Sequence, residues 1–222
     1  MALNSMQEIF EKAASRSIPF WRVVLETDME ERQVTEEQSM EKMRAAWHAM
    51  LESVVSYQGD QRSRSGLVGG DGAQMRRYAA ADTTYSGPYV QEVIATALSV
   101  GESNACMRKI VAAPTAGACG VLPAVLVPLY QMGRATEEEI LQALYTASGI
   151  GAVVSFRACI AGASGGSAGQ LAQARAVGAR HARRRFKAEL RAAPLQRAVH
   201  IEVGGRHGLR HGLRRRERPV RP

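Results

Sequence analysis

The chain is 222 residues long, 45% apolar and only 5% aromatic, with 21 glycines and 3 cysteines. That length and apolar share carry a real core and exclude wholesale disorder, while an odd, small number of cysteines excludes a disulfide scaffold and points to a reducing cytosol. The net charge of +8 is unevenly held: residues 1–166 carry 14 Lys+Arg against 18 Asp+Glu (−4), and residues 167–222 carry 15 against 3 (+12).

The first segment, MALNSMQEIFEKAASRS, has acids at Glu8 and Glu11 and no apolar stretch, so a signal peptide is not expected. It is taken as a lead, residues 1–19, with no element assigned before residue 35. Residues 35–57 predict a helix. Thr35 followed by Gln38 makes a capping-box pattern, and Met40, Met43, Ala46, Trp47, Met50, Leu51 and Val54 form one apolar stripe. Residues 61–72 are a loop by their glycines. A helix is expected over about 73–80, with Asp71 as its N-cap. Pro88 opens the next helix, which Gly101 is expected to close, and a short helix is expected over 102–111. After a second small-residue loop, a helix runs over about 121–132 with Pro123 in its first turn, where a missing N–H is tolerated. Thr136 and Glu139 form a second capping box, opening a helix to about Ser148. Residues 149–163 are small and apolar, consistent with a buried helix. No alternating pattern and no internal repeat is present, so the body is mainly α. Apolar stretches are broken by Pro123, Pro128 or Arg157, so no membrane span is expected.

Two glycine-rich loops are the candidate sites. In Ser65-Gly66-Leu67-Val68-Gly69-Gly70-Asp71-Gly72, paired glycines can turn with positive φ and direct successive N–H groups into one concavity, a nest for phosphate or carboxylate, with the Ser65 hydroxyl beside it. A tight turn with Asp71 as a cap explains the same residues. No Gly-Lys-Ser/Thr follows, so it is no Walker loop, and no strand precedes it, so it is no dinucleotide fingerprint. The second loop, Pro114-Thr115-Ala116-Gly117-Ala118-Cys119-Gly120, leads into a helix whose N-terminus suits a small carboxylate; an ordinary loop is the alternative. Cys106, Cys119 and Cys159 have no C-x-x-C spacing and read as small packing residues. His48, beside Trp47, reads as a surface or boundary residue, and the methionine stripe as core.

The stretch 167–222 lacks Cys, Met, Trp, Tyr, Asp and Asn and holds four of the five histidines. It reads as a basic, disordered tail, with little fixed structure after about residue 192. A non-catalytic basic protein binding nucleic acid or acidic partners through it is the competing function, although Phe186 is its lone aromatic and nucleic acid is not the expected partner.

Taken in order, SGLVGGDG, then NACMRKIVAAPTAGACGVLPAVL, then ACIAGASGG resemble the alpha subunit or alpha domain of bacterial iron–sulfur L-serine dehydratase over residues 20–166. The resemblance implies a partial, helical serine dehydratase alpha-type domain. It implies deamination of L-serine to pyruvate and ammonia in the cytoplasm without pyridoxal phosphate, with a 4Fe–4S cluster as Lewis acid on the serine hydroxyl. It places substrate binding at Ser65, Gly66, Gly69, Gly70 and Asp71 on one loop and at Thr115, Ala116 and Gly117 on the other. A beta subunit or a second copy is the implied protein partner. The departure lies in the third motif: where the family has its first cluster cysteine after Gly-Gly, Gly165-Gly166 is followed by Ser167, and the later cysteine pair is missing. A hydroxyl does not replace a thiolate, so this chain is not expected to bind the cluster alone or to be active. A reading-frame shift near codon 167 accounts for both the lost motif and the Arg-rich tail.

Overall fold

The computed structural model describes residue 3 and residues 5–81 and 85–157. The expectations for the rest of the apolar segment to residue 163, for Cys159, for Gly165 to Ser167 and for the basic tail lie outside the described residues. The chain divides into two units, Met1–Arg185 and Phe186–Pro222, and everything described belongs to the first.

Seven α-helices and one 3-10 turn make up the described residues, with no strand among them: α1 Met6–Ser15, α2 Phe20–Arg32, α3 Glu36–Val55, α4 Asp71–Ala79, α5 Pro88–Ala105, η1 Ala116–Ala118, α6 Val121–Gln131 and α7 Glu137–Arg157. The mainly helical expectation holds. Both capping boxes form. The Gln38 N–H donates to Thr35 Oγ1 at 3.3 Å and the Thr35 N–H donates to Gln38 Oε1 at 3.0 Å. At α7, the Glu139 N–H donates to Thr136 Oγ1 at 3.3 Å and the Thr136 N–H donates to Glu139 Oε2 at 2.9 Å.

Two helices occupy the segment left unassigned before residue 35. Ser5 caps α1 by accepting from the Glu8 N–H at 3.1 Å, and α2 begins after Pro19. Their amphipathic faces are short and split by Pro19, which hides the period in the sequence. Gly101 does not stop α5. It stands in open space on the helix, and the stop comes at Met107, which takes a left-handed φ of 59°. The Arg108 N–H reaches back to the Ser103 carbonyl at 2.8 Å and the Met107 N–H to the Asn104 carbonyl at 3.1 Å, a Schellman ending built without glycine. The separate helix expected over 102–111 is not formed: residues 102–105 are the last turn of α5 and 106–111 are not helical. Likewise α7 passes through Gly149 instead of ending near Ser148. A Cβ at Gly149 would meet Val24 and stand 3.2 Å from the Phe20 ring, so the glycine lets α7 lie close on α2.

The core has two parts. Trp47, Met50 and Val54 of α3 meet Val100 of α5, Leu122, Leu126 and Val127 of α6, and Ile140, Leu141 and Leu144 of α7. Ile9, Phe20, Val23, Val24 and Leu25 form a second cluster with Tyr145 and Val153 of α7. A polar chain stitches α2, α3 and α7: Tyr145 Oη lies 2.7 Å from Ser39 Oγ, which donates to Asp28 at 2.5 Å. By length and composition α7 is apolar enough to cross a membrane, which the sequence reading did not expect, but its Ile140, Leu141, Leu144, Tyr145 and Ala147 are buried among the other helices.

Candidate functional site

Both candidate loops hang on the C-terminal half of α5. Loop 1 is held by Ser99, Glu102 and Ser103. Gly72 packs so tightly on α5 that a Cβ there would stand 2.5 Å from Ser99 Oγ. Gln61, which precedes the loop, donates through Nε2 to Ser103 Oγ at 3.2 Å. Loop 2 is held by Ala97, Val100 and Asn104. A Cβ at Gly120 would stand 2.9 Å from the Ala97 carbonyl oxygen, Cys119 Sγ is 3.8 Å from the Val100 carbonyl oxygen, and Asn104 Nδ2 donates to the Ala116 carbonyl at 3.1 Å. At 100° per residue these two sets of α5 residues point about 140° apart, so the loops flank the helix on different sides.

The helix N-terminus at loop 1 already holds a carboxylate. Glu102 is 3% exposed, and its Oε1 accepts from the Asp71 N–H at 2.6 Å and the Gly72 N–H at 3.2 Å. Its Oε2 accepts from the Tyr57 hydroxyl at 2.5 Å, and that hydroxyl accepts from the Ala73 N–H at 3.1 Å. Three N–H groups of the first turn of α4 are thereby satisfied from within the chain. Burial, aided by the bond to the Glu102 carboxylate, pushes the Tyr57 phenol up to about 12. Gly70, at φ 91°, is the N-cap and Asp71 is the first helical residue, so the expected Asp71 cap is not made. The sequence reading missed both Glu102 and Tyr57. The available signal was weak: Glu102 is one of two acids on α5, with Glu92, set among the small, buried positions Ala95, Ser99 and Ser103.

The rest of loop 1 is tied to itself. The Ser63 N–H donates to the Val68 carbonyl, the Val68 N–H donates to Ser63 Oγ at 3.1 Å, and Ser65 Oγ lies 3.1 Å from Ser63 Oγ. Gly66 and Gly69 take φ of 74° and 138°, as the glycine pattern predicts. At loop 2, the Ala118 N–H closes on the Thr115 carbonyl and the Cys119 N–H on the Ala116 carbonyl, forming η1. Thr115 is half-buried, and Ala116 and Gly117 are exposed. The Cys119 thiol is buried and its pKa is raised by that burial, which makes it a packing residue. His48 is exposed, 3.5 Å from Glu137.

Against this geometry, residues 15–186 match the family model described as serine dehydratase alpha chain. The chain belongs to the serine dehydratase alpha chain family. It is 30% identical over 176 residues to a probable L-serine dehydratase alpha chain of Bacillus subtilis, covering 79% of this chain and 59% of that one. It is 32% identical over 179 residues to the L-serine dehydratase alpha chain of Peptoniphilus asaccharolyticus, covering 80% and 61%. It is 35% identical over 114 residues to L-serine dehydratase 1 of Escherichia coli, covering 51% and 24%. The chain thus spans about three fifths of the length of the two alpha-chain relatives. No solved structure matches.

Proposed function

We propose that this chain binds L-serine as the alpha part of an L-serine ammonia-lyase, and that its own residues do not complete the catalyst. The observation that carries the reading is family membership together with the placement of both motif loops on one rigid helix, α5. The reaction class is β-elimination. The α-proton and the β-hydroxyl leave serine as water, and the resulting 2-aminoacrylate tautomerises to an imine. Water then hydrolyses the imine to pyruvate and ammonia.

The 4Fe–4S cluster that the resemblance implies does not fit the described donors. No group of three or more His, Cys, Asp or Glu comes together among the described residues. Cys119 is sealed in the core with its thiol held neutral, and Cys106 is a separate free thiol. The work assigned to this chain is binding, by Ser65, Gly66, Gly69, Gly70 and Asp71 of loop 1, with Thr115, Ala116 and Gly117 of loop 2 as a separate candidate on the other side of α5. A beta subunit, a second copy or further sequence such as the relatives carry supplies the metal chemistry. A cytoplasmic setting belongs to the same proposal and is supported by the free thiols.

Calorimetric titration of the purified chain with amino acids tests the reading. L-Serine binds saturably and in preference to L-alanine, which lacks the hydroxyl. Equal binding of the two, or binding of neither, contradicts it.

A further inference from the structure

We propose that Arg62, cradled by Gly69 and Gly70, forms a binding site for a small carboxylate, and that this site receives the carboxylate of the amino acid. The inference deepens the serine reading above.

The two glycines do more than turn the chain. A Cβ on Gly70 would stand 3.0 Å from both Nη1 and Nη2 of Arg62 and 3.2 Å from its Cζ. A Cβ on Gly69 would stand 3.1 Å from Arg62 Cδ. The side chain of Arg62 therefore lies along the bare backbone of the Gly-Gly pair, which any larger residue would fill. Nη1 donates to the Gln61 carbonyl at 2.8 Å, which fixes the plane of the guanidinium and leaves its other N–H groups for a ligand. Gln61 is itself buried and tied to Ser103, so the anchor is firm.

Arg62 shares with Arg64, Arg77, Arg108 and Arg134 the lack of a carboxylate ion pair among the described residues, and differs from them in its seat on Gly69 and Gly70. Arg16, Arg22, Arg32, Arg44 and Arg76 each face a carboxylate. No carboxylate among the described residues pairs with Arg62. The nearby first turn of α4 is closed by Glu102, so an incoming anion meets the guanidinium and not the helix end. A planar fork of N–H donors is the group best matched to a carboxylate, which it can bind through two parallel hydrogen bonds. Asp71, one residue beyond Gly70, carries an exposed carboxylate, the complement of an ammonium group. A cation beside an anion suits a zwitterionic amino acid better than a phosphate.

The test follows the Nε–Hε resonance of Arg62 in the nitrogen-15-labelled full chain, assigned by its loss in R62K, during titration with L-serine, L-lactate and L-serinamide. The site predicts that L-serine and L-lactate move this resonance saturably and L-serinamide does not. R62M weakens L-serine binding at least tenfold, and R62K, which keeps the charge and loses the fork, falls between. Saturable binding of L-serine with an unmoved Arg62 resonance, or undiminished in R62M, overturns the site while sparing the serine reading. Binding of L-lactate through Arg62 with no advantage for L-serine keeps the site and defeats the serine reading. Failure of every carboxylate to move the resonance overturns the site outright.

Discussion

At Glu102 a single side chain decides how loop 1 is built. Removing it in E102A leaves the Asp71 and Gly72 N–H groups and the Tyr57 hydroxyl without their acceptor. Unpaired buried polar groups cost about 1–3 kcal/mol each, so E102A should lose on the order of 3 kcal/mol or more in urea denaturation. E102Q keeps an oxygen for the helix N–H groups and should lose about 1 kcal/mol. Equal losses would mean that the cap is not what Glu102 supplies. Tyr57 gives a second readout. Its folded pKa, about 12, is raised above the ordinary value of 10.0. A raised pKa contributes stability that is fully present below pH 10 and is lost as pH rises through 12. Burial also raises Tyr89 and Tyr145, so the late phenolate absorbance should include them, and Y57F should remove the component near pH 12. This part of the site was half legible in the sequence. The glycines announced positive φ, and the structure has it at Gly66, Gly69 and Gly70. The partner that fills the helix end comes from 31 positions along the chain, and no local pattern names it.

Among the helices, endings were harder to read than beginnings. Caps are written in adjacent residues, so Thr35 with Gln38 and Thr136 with Glu139 were plain. Several endings place one residue in the left-handed region, and glycine is only its cheapest occupant. Ser17 and Met107 take that role at φ 53° and 59°, while Gly101 remains helical. T35A should destabilise the protein by about 1 kcal/mol, the usual worth of such a cap, measured by thermal unfolding. G149V should cost more than T35A, because its side chain would drive into Val24 and Phe20 where α7 lies on α2. A neutral G149V would show that the two helices are free to separate.

Across the whole molecule, the helical class followed from the lack of any alternating pattern. The pairing of α5 with both loops did not, because it depends on contacts between distant segments. Ion pairs join the first three helices: hydrogen bonding from Arg16 lowers the Glu26 pKa, and hydrogen bonding from Arg22 lowers that of Glu36. Depressed carboxylate pKa values contribute stability that is present above about pH 4.5 and is lost as pH falls through the lower folded values. R22M should flatten that acid limb of the stability curve. An unchanged slope would remove these pairs from the account.

We propose that this family member carries substrate loops without a donor set for the metal cluster among its described residues. Anaerobic reconstitution of the full chain with iron and sulfide, followed by metal analysis and a pyruvate assay with L-serine, tests it most directly. The account predicts no stoichiometric cluster and no serine-dependent pyruvate. Four irons and four sulfides per chain, with pyruvate formed from L-serine, would contradict it.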